Sequence, residues 1–279
     1  MFTVAQAREL CFRRLQGAGI ESAEAEATAL IEAVTGLDRL EQYSNHDRAL
    51  LGSQRQSLAA MLQRRVMREP LQHIIGSAAF YGLVLAVSSA VLIPRPETER
   101  LVELVLANLP PGPVTVLDVG TGSGAIALAL KAERPAAEVW ATDVDPDALA
   151  VAQANAEGLG LDVEFRLSDL LADSEVAAVA ARCSALVANL PYLPEADAGA
   201  MQPEALRDPP QALFGGADGL AVAERLRRQA AELLPAGALL ALELDPRNAG
   251  GMLARLHGWT SARLEADLTN RERFVLAWR

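Results

Sequence analysis

Over residues 1–72 apolar side chains recur every three or four positions with polar ones between them, which is the helical period. Thr3 is placed to cap a first helix from Val4 to Leu15. Ser22 opens a second, with Glu24 and Glu26 in its first turn and Ala27, Leu30, Ile31 and Val34 on one stripe. A third, Arg48 to Arg68, carries Leu50, Leu51, Leu58, Met61, Leu62 and Val66. The period then shortens. Phe80-Tyr81-Gly82-Leu83, Leu85-Ala86-Val87 and Val91-Leu92-Ile93 read as a β-hairpin.

From residue 114 strand and helix patterns alternate, the mark of a parallel sheet with helices on both faces. Strands are expected over 114–119, 138–144, 163–168, 185–188 and 238–244, and helices over 123–133, 146–157 and 220–234. The last two strands, 261–267 and 273–278, suit an antiparallel hairpin at one sheet edge. Residues 193–218 follow neither period and hold Pro194, Pro203, Pro209 and Pro210; so long a connection is usually functional. The expected organisation is a helical domain over 1–72, a hairpin linker over 73–96 and an α/β domain over 97–279.

Composition narrows the class. A chain of 279 residues, 51% hydrophobic, can bury two cores. No apolar run reaches the ~18 residues of a membrane span, and the amino terminus lacks a signal-peptide layout. Cys11 and Cys183 make no disulfide framework, and His46, His73 and His257 make no ligand cluster. A cytoplasmic, metal-free monomer is expected. Net charge is −11, unevenly spread. Residues 1–75 hold nine arginines and nine acids, so the remainder, sixteen basic against twenty-seven acidic residues, carries the whole excess. A nucleic-acid binder wants a basic footprint instead.

Chemistry concentrates in two stretches. The first is Asp118-Val119-Gly120-Thr121-Gly122-Ser123-Gly124-Ala125, at an expected strand-to-helix turn. Glycines there let the backbone approach a ligand that a Cβ would repel. Gly120, Gly122 and Ala125 fit a dinucleotide fingerprint, and Asp143 stands where an acid would hold ribose hydroxyls, so a nicotinamide cofactor fits as well. Three features favour S-adenosylmethionine. Asp118 suits a ligand bearing an ammonium group better than a pyrophosphate. Asp169, after Ser168 at the next strand end, can accept from an adenine amino group. The third feature is the second stretch, Asn189-Leu190-Pro191-Tyr192, for which hydride transfer has no use.

That stretch ends a buried strand. Asn189 offers a carboxamide acceptor and Leu190 a backbone carbonyl, while Pro191 restricts Leu190 to extended conformations. Tyr192 offers a flat amphipathic face. Two acceptors and a ring suit a planar –NH2 group that is alkylated on nitrogen.

With both stretches in place, the chain resembles the release-factor glutamine N5-methyltransferases, the PrmC/HemK family. The likeness runs through Pro70 to Gly76, Phe80 to Leu83, and Val91 to Glu99 with its Arg95-Pro96-Glu97-Thr98. It continues through Asp118 to Leu130, Asp208 to Leu220 with Gly215-Gly216-Ala217-Asp218-Gly219, and Asp267 to Phe274. The resemblance implies a Rossmann-like class I methyltransferase sheet with a C-terminal antiparallel hairpin, preceded by a small all-helical domain. It implies S-adenosyl-L-methionine as cofactor, lined by Gly120, Thr121, Gly122, Ser123 and Gly124. Asp143 would lie on the ribose, Asp169 and Leu170 beside the adenine, and Arg95 and Thr98 near the methionine end. Asn189, Leu190, Pro191 and Tyr192 would hold the substrate amide, with Asn189 also touching the cofactor. The partner implied is a peptide-chain release factor, with no stable nucleic-acid binding and no membrane. The family pattern is Asn-Pro-Pro-Tyr, and Leu190 departs from it. The Asn-Leu-Pro-Tyr form is that of the rRNA adenine dimethyltransferases, so an adenine N6-methyltransferase acting on rRNA or DNA is the alternative.

Overall fold

The structure is a computed structural model describing residues 1–279. It divides into two compact units, Met1–Gly76 with Gln202–Arg207, and Ser77–Met201 with Asp208–Arg279.

The first unit is helical: α1 (Val4–Gly17), α2 (Ala23–Thr35), α3 (Arg39–Ser44), α4 (Gly52–Val66) and α5 (Leu71–Ile75). Thr3 caps α1 through a capping box with Gln6, and α2 ends at Gly36, whose φ of 73° a side chain would resist. Cys11, Leu15, Leu30, Ile31, Leu58 and Leu62 meet in its core. Two details depart from the periodic reading. The helix expected from Arg48 begins only at Gly52, because residues 46–50 pair with the chain start: Val4 N–H donates to Arg48 O and Leu50 N–H to Phe2 O. Helix α3 is too short to show a period, and its signal is a capping box between Asp38 and Glu41. Arg65, buried on α4, pairs with Glu26 at 2.5 Å and with Glu204 at 2.9 Å.

The second unit opens with the hairpin β1 (Ser77–Phe80) and β2 (Leu83–Ala86), then α6 (Pro96–Asn108), β3 (Thr115–Val119), α7 (Ala125–Glu133), β4 (Glu138–Asp143), α8 (Pro146–Leu159) and β5 (Glu164–Leu167). It continues through α9 (Ser174–Ala180), β6 (Ala185–Asn189), α10 (Pro210–Leu213), α11 (Ala221–Leu233), β7 (Leu239–Glu243), α12 (Pro246–Leu253), β8 (Ser261–Ala266) and β9 (Glu272–Trp278). Seven strands form one sheet in the order β5-β4-β3-β6-β7-β9-β8. The first five are parallel, and β9 pairs antiparallel with both β7 and β8. This is the mostly parallel architecture expected, with its hairpin at the edge. Leu117, Val119, Leu186 and Ala188 face one apolar core, and Val116, Ala185 and Val187 face the other.

The expected strand at Val91–Ile93 is not formed, although Val91 and Ile93 are buried. The long connection after β6 holds only short turns, over Glu195–Ala200 and Ala205–Arg207, before α10. The hairpin falls within the second unit and is tied there by Asn155 of α8. Its Oδ1 accepts from Ala86 N–H at 2.7 Å, and its Nδ2 donates to the carbonyls of Ala86 and Ser123. Asn155→Ala leaves three backbone groups without their partner; the buried Ser123 O costs about 1–3 kcal/mol where water cannot enter, and the two groups of exposed Ala86 cost less. Urea denaturation is expected to give a midpoint lowered by a loss of that size, with local hydrogen exchange rising first at Ala86.

Candidate functional site

Strand β3 has β4 on one side and β6 on the other; the chain leaves β3 toward β4 and leaves β6 toward β7, in opposite directions across the sheet. Ligands of open parallel sheets bind beyond the strand carboxyl ends at such a point. Both stretches singled out in the sequence emerge there, the glycines after β3 and Asn189 at the end of β6. Between them lies a cavity of about 360 Å³, in the range of small-molecule sites.

The glycine loop turns its amides inward. Gly120 and Thr121 N–H both donate to Thr142 O, Gly122 N–H donates to Asp143 Oδ2 at 2.9 Å, and Gly124 N–H donates to Thr121 O. A pyrophosphate needs such amides free to point at it. Here they are engaged, which removes the main argument for a dinucleotide. Gly120, Thr121, Gly122 and Ser123 line the cavity. Gly122 has φ of 56° and open space where a Cβ would stand, so the backbone presents a bare face. Gly124 does not line the cavity, contrary to expectation. It caps α7 with φ of 83°, and a Cβ there would sit 3.0 Å from Leu128 Cδ1 and 3.2 Å from Ala152 Cβ. Its glycine serves helix packing.

Asp143, Asp169 and Leu170 line the cavity. Asp143 also accepts from Asp145 N–H, so each oxygen holds one backbone donor and keeps a lone pair for a ligand hydroxyl. Burial pushes its pKa upward. Asp169 pairs with Arg225 of α11 at 2.6 Å, a partner the sequence had not suggested. Leu170 takes a left-handed φ of 57°, and its carbonyl accepts from the Ser168 hydroxyl.

Asp118 was expected to face a ligand ammonium group and does not. It is fully buried behind the loop, where Oδ2 accepts from the Thr121 hydroxyl at 2.7 Å and from Ala127 N–H. Its Oδ1 has no partner. Burial raises its pKa to about 7.

Asn189, Leu190 and Pro191 line the cavity, together with Arg95 and Thr98. Thr98 Oγ1 accepts from Asn189 Nδ2 at 3.0 Å. Arg95 pairs with buried Asp208. The Leu190 side chain is also buried, and its Cδ2 lies 2.8 Å from where a Cβ on Gly120 would stand. Tyr192 does not line the cavity. Its ring is half-buried against one of the two apolar cores, and burial beside Glu243 pushes its phenol to about 12. The reason is the backbone after Pro191, which two glycines hold. A Cβ on Gly215 would meet Pro191 O at 2.3 Å, and one on Gly219 would meet Tyr192 O at 2.1 Å. Asn248 Nδ2 donates to the same Tyr192 carbonyl at 3.3 Å. These supports were missed; the paired glycines at 215–219 were the only signal of them.

Residues 6–76 match the PrmC N-terminal domain, and residues 98–224 the methyltransferase small domain. Over 270 residues the chain is 44% identical to the release factor glutamine methyltransferase of Deinococcus radiodurans, covering 95% of each chain. It is 37% identical over 267 residues to that of Caulobacter vibrioides, covering 94% of this chain and 92% of the other. Among solved structures the hMettl16 catalytic domain is similar, with a TM-score of 0.57 at 17% identity over 80% of this chain and 81% of that one. At that identity the likeness concerns the fold.

Two outcomes follow from the buried supports. Gly219→Ala must open a contact of 2.1 Å to an ordinary one, which displaces Tyr192 O by roughly 1 Å; a crystal structure of the variant is expected to show the 191–192 loop moved and the sheet unmoved. Asp118 holds a proton in the folded chain that the unfolded chain has already lost, because its pKa is raised from 3.8 to about 7. Stability therefore falls as pH rises between those values. Asp118→Asn removes this dependence, so urea midpoints of variant and wild type should diverge in the variant's favour from about pH 4 to about pH 7 and run parallel above it.

Proposed function

The chain belongs to the release factor glutamine methyltransferase family, and we propose that it moves a methyl group from S-adenosylmethionine to the side-chain amide nitrogen of a glutamine in the Gly-Gly-Gln loop of a peptide-chain release factor. The observation that carries this reading is the cavity between an inward-turned glycine loop and the Asn189 carboxamide. The residues present fit the cofactor. Gly122 offers bare backbone, and Asp143 keeps free lone pairs at the strand end where ribose hydroxyls would lie. The engaged amides suit a ligand without phosphate.

When bound, S-adenosylmethionine supplies an electrophilic methyl carbon on a sulfonium. The chain's own task is to present an amide nitrogen, whose lone pair is delocalised and weakly nucleophilic. Asn189 Oδ1 and the Leu190 carbonyl would accept the two N–H groups, fixing the nitrogen and favouring positive charge on it as the bond forms. The Thr98 contact favours this use of Asn189, since Nδ2 is engaged and Oδ1 is left for substrate. No side-chain base is required before transfer, because the proton becomes acidic only afterward and passes to water. Tyr192 supports the loop rather than stacking on the amide.

Charge supports a protein acceptor over nucleic acid, as the acidic excess lies outside the first 75 residues. No helix is long and apolar enough to cross a membrane. The reading extends to a monomer acting in the cytoplasm, where release factors are used, with the helical unit selecting the substrate.

The test is incubation with labelled S-adenosylmethionine and a release factor, followed by mapping of the label. Label is expected on the glutamine of the Gly-Gly-Gln loop. Label in rRNA or DNA and none in the release factor overturns the reading. Asn189→Ala is expected to cut transfer by about 10²-fold or more with S-adenosylhomocysteine still raising the melting temperature. At a hundredfold excess over Kd that stabilisation is about 2.7 kcal/mol, and NAD is expected to give none.

A further inference from the structure

Glu243, the last residue of β7, lies beside Asn189 in the parallel register of β6 and β7. It is 1% exposed, and neither carboxylate oxygen has a formed hydrogen bond. Nothing in the proposed methyl transfer uses it. A carboxylate this deeply buried is costly, and its presence asks for an explanation.

Thr98 supplies one. Its Oγ1 accepts from Asn189 Nδ2, and its hydroxyl stands beside the Glu243 carboxyl, to which it can donate. The Thr98 hydroxyl is also the group that most favours the ionised form of Glu243. A hydroxyl has one proton, so its direction of donation sets what its neighbour must do. When Thr98 donates toward Glu243, its lone pairs face Asn189, which must then present Nδ2 to Thr98 and Oδ1 to the cavity. When Glu243 carries the proton and donates toward Thr98, the hydroxyl is free to donate to Asn189 Oδ1, and Nδ2 turns to the cavity. Only the first arrangement offers an acceptor to a substrate N–H.

We propose that Glu243, acting through Thr98, is the positioning residue that sets which face of the Asn189 carboxamide meets the substrate. The proposal rests on the reading of Asn189 as the amide acceptor and adds the device that orients it. Its surroundings make the device sensitive to acidity. Burial raises the Glu243 pKa to about 7, with Arg273 on β9 opposing and Glu97 on α6 and Asp267 in the β8–β9 turn adding to the rise. The Tyr192 phenol, itself held up by burial and by Glu243, faces the same group. The carboxylate form, and with it the productive amide, therefore prevails above that pH and is lost below it.

The test uses the full chain, free of ligands and labelled with 15N-asparagine. The Asn189 side-chain amide resonances of the wild type are expected to titrate with a midpoint near 7. In Glu243→Gln, compared with the wild type in an Asp118→Asn background that removes the other group raised to about 7, the same resonances should be flat between about pH 5.5 and about pH 8.5. Thr98→Val should shift them and remove the titration, and Thr98→Ser, which keeps the hydroxyl, should restore both. With a release factor as acceptor, Thr98→Val should lower kcat by about 10²-fold with the S-adenosylhomocysteine Kd changed by less than about twofold. Glu243→Gln should lose the acid limb of the kcat profile. Wild-type amide resonances that ignore pH, or a titration that survives in Glu243→Gln, overturn the proposal. These resonances are read without substrate, so a wild type that fails to methylate release factor counts against the proposed function alone.

Discussion

Val116, Leu117 and Asp118 of β3 lie directly beside Ala185, Leu186 and Val187 of β6, in parallel. Both strands are fully buried over this register, so a slip would turn every core side chain to the opposite face. The register brings the two chain exits, Gly120 after β3 and Asn189-Leu190 at the end of β6, to neighbouring heights. They interlock there: the Leu190 side chain fills the volume that a Cβ on Gly120 would need. Gly120 is thus glycine for two reasons, its φ of 77° and the leucine over it. Leu190, the departure from the family's proline, contributes a buried side chain that joins the two loops. Its identity is therefore not indifferent, although its backbone carbonyl is the part proposed to meet substrate.

Two carboxylates stand beneath these loops, Asp118 under the glycines and Glu243 beside Asn189. Both are buried, and both are raised to about 7 by that burial. Asp118 locks the turn by accepting from Thr121 and Ala127, which explains why an acid precedes the first glycine without touching a ligand. Asp143 completes the turn from the next strand by holding Gly122 N–H. The outcome is a glycine loop whose polarity is spent on the protein itself. A glycine fingerprint thus leaves the ligand open until the direction of the amides is known.

The strand and helix alternation was legible because five parallel strands buried on both faces leave long apolar runs. The hairpin and the switch-point placement of Gly120 and Asn189 followed from the same pattern. What escaped has a common cause: it depends on groups brought together by tertiary contact. Helices α3, α9 and α12, at six to eight residues, are too short to declare a period. The late start of α4 reflects pairing of residues 46–50 with the chain start, some forty positions away. Gly124 matched a ligand-lining pattern and proved to be needed against Ala152. Tyr192 matched a stacking ring and proved to be drawn inward by a loop that Gly215, Gly219 and Asn248 hold.

The same distinction separates the two stretches chemically. The glycine loop is built from backbone, so its shape is set by strand geometry and by three inward hydrogen bonds from Gly120, Thr121 and Gly122, with little that titrates at its surface. The Asn189 side is built from side chains and from close backbone contacts that single methyl groups would break. A transfer reaction asks for this division. One wall must hold a cofactor in one pose through every turnover, which rigid backbone does best. The other must accept a protein loop, orient a poor nucleophile and release it, a task for which we propose the Asn189 carboxamide, its direction set by the neighbouring Thr98 hydroxyl.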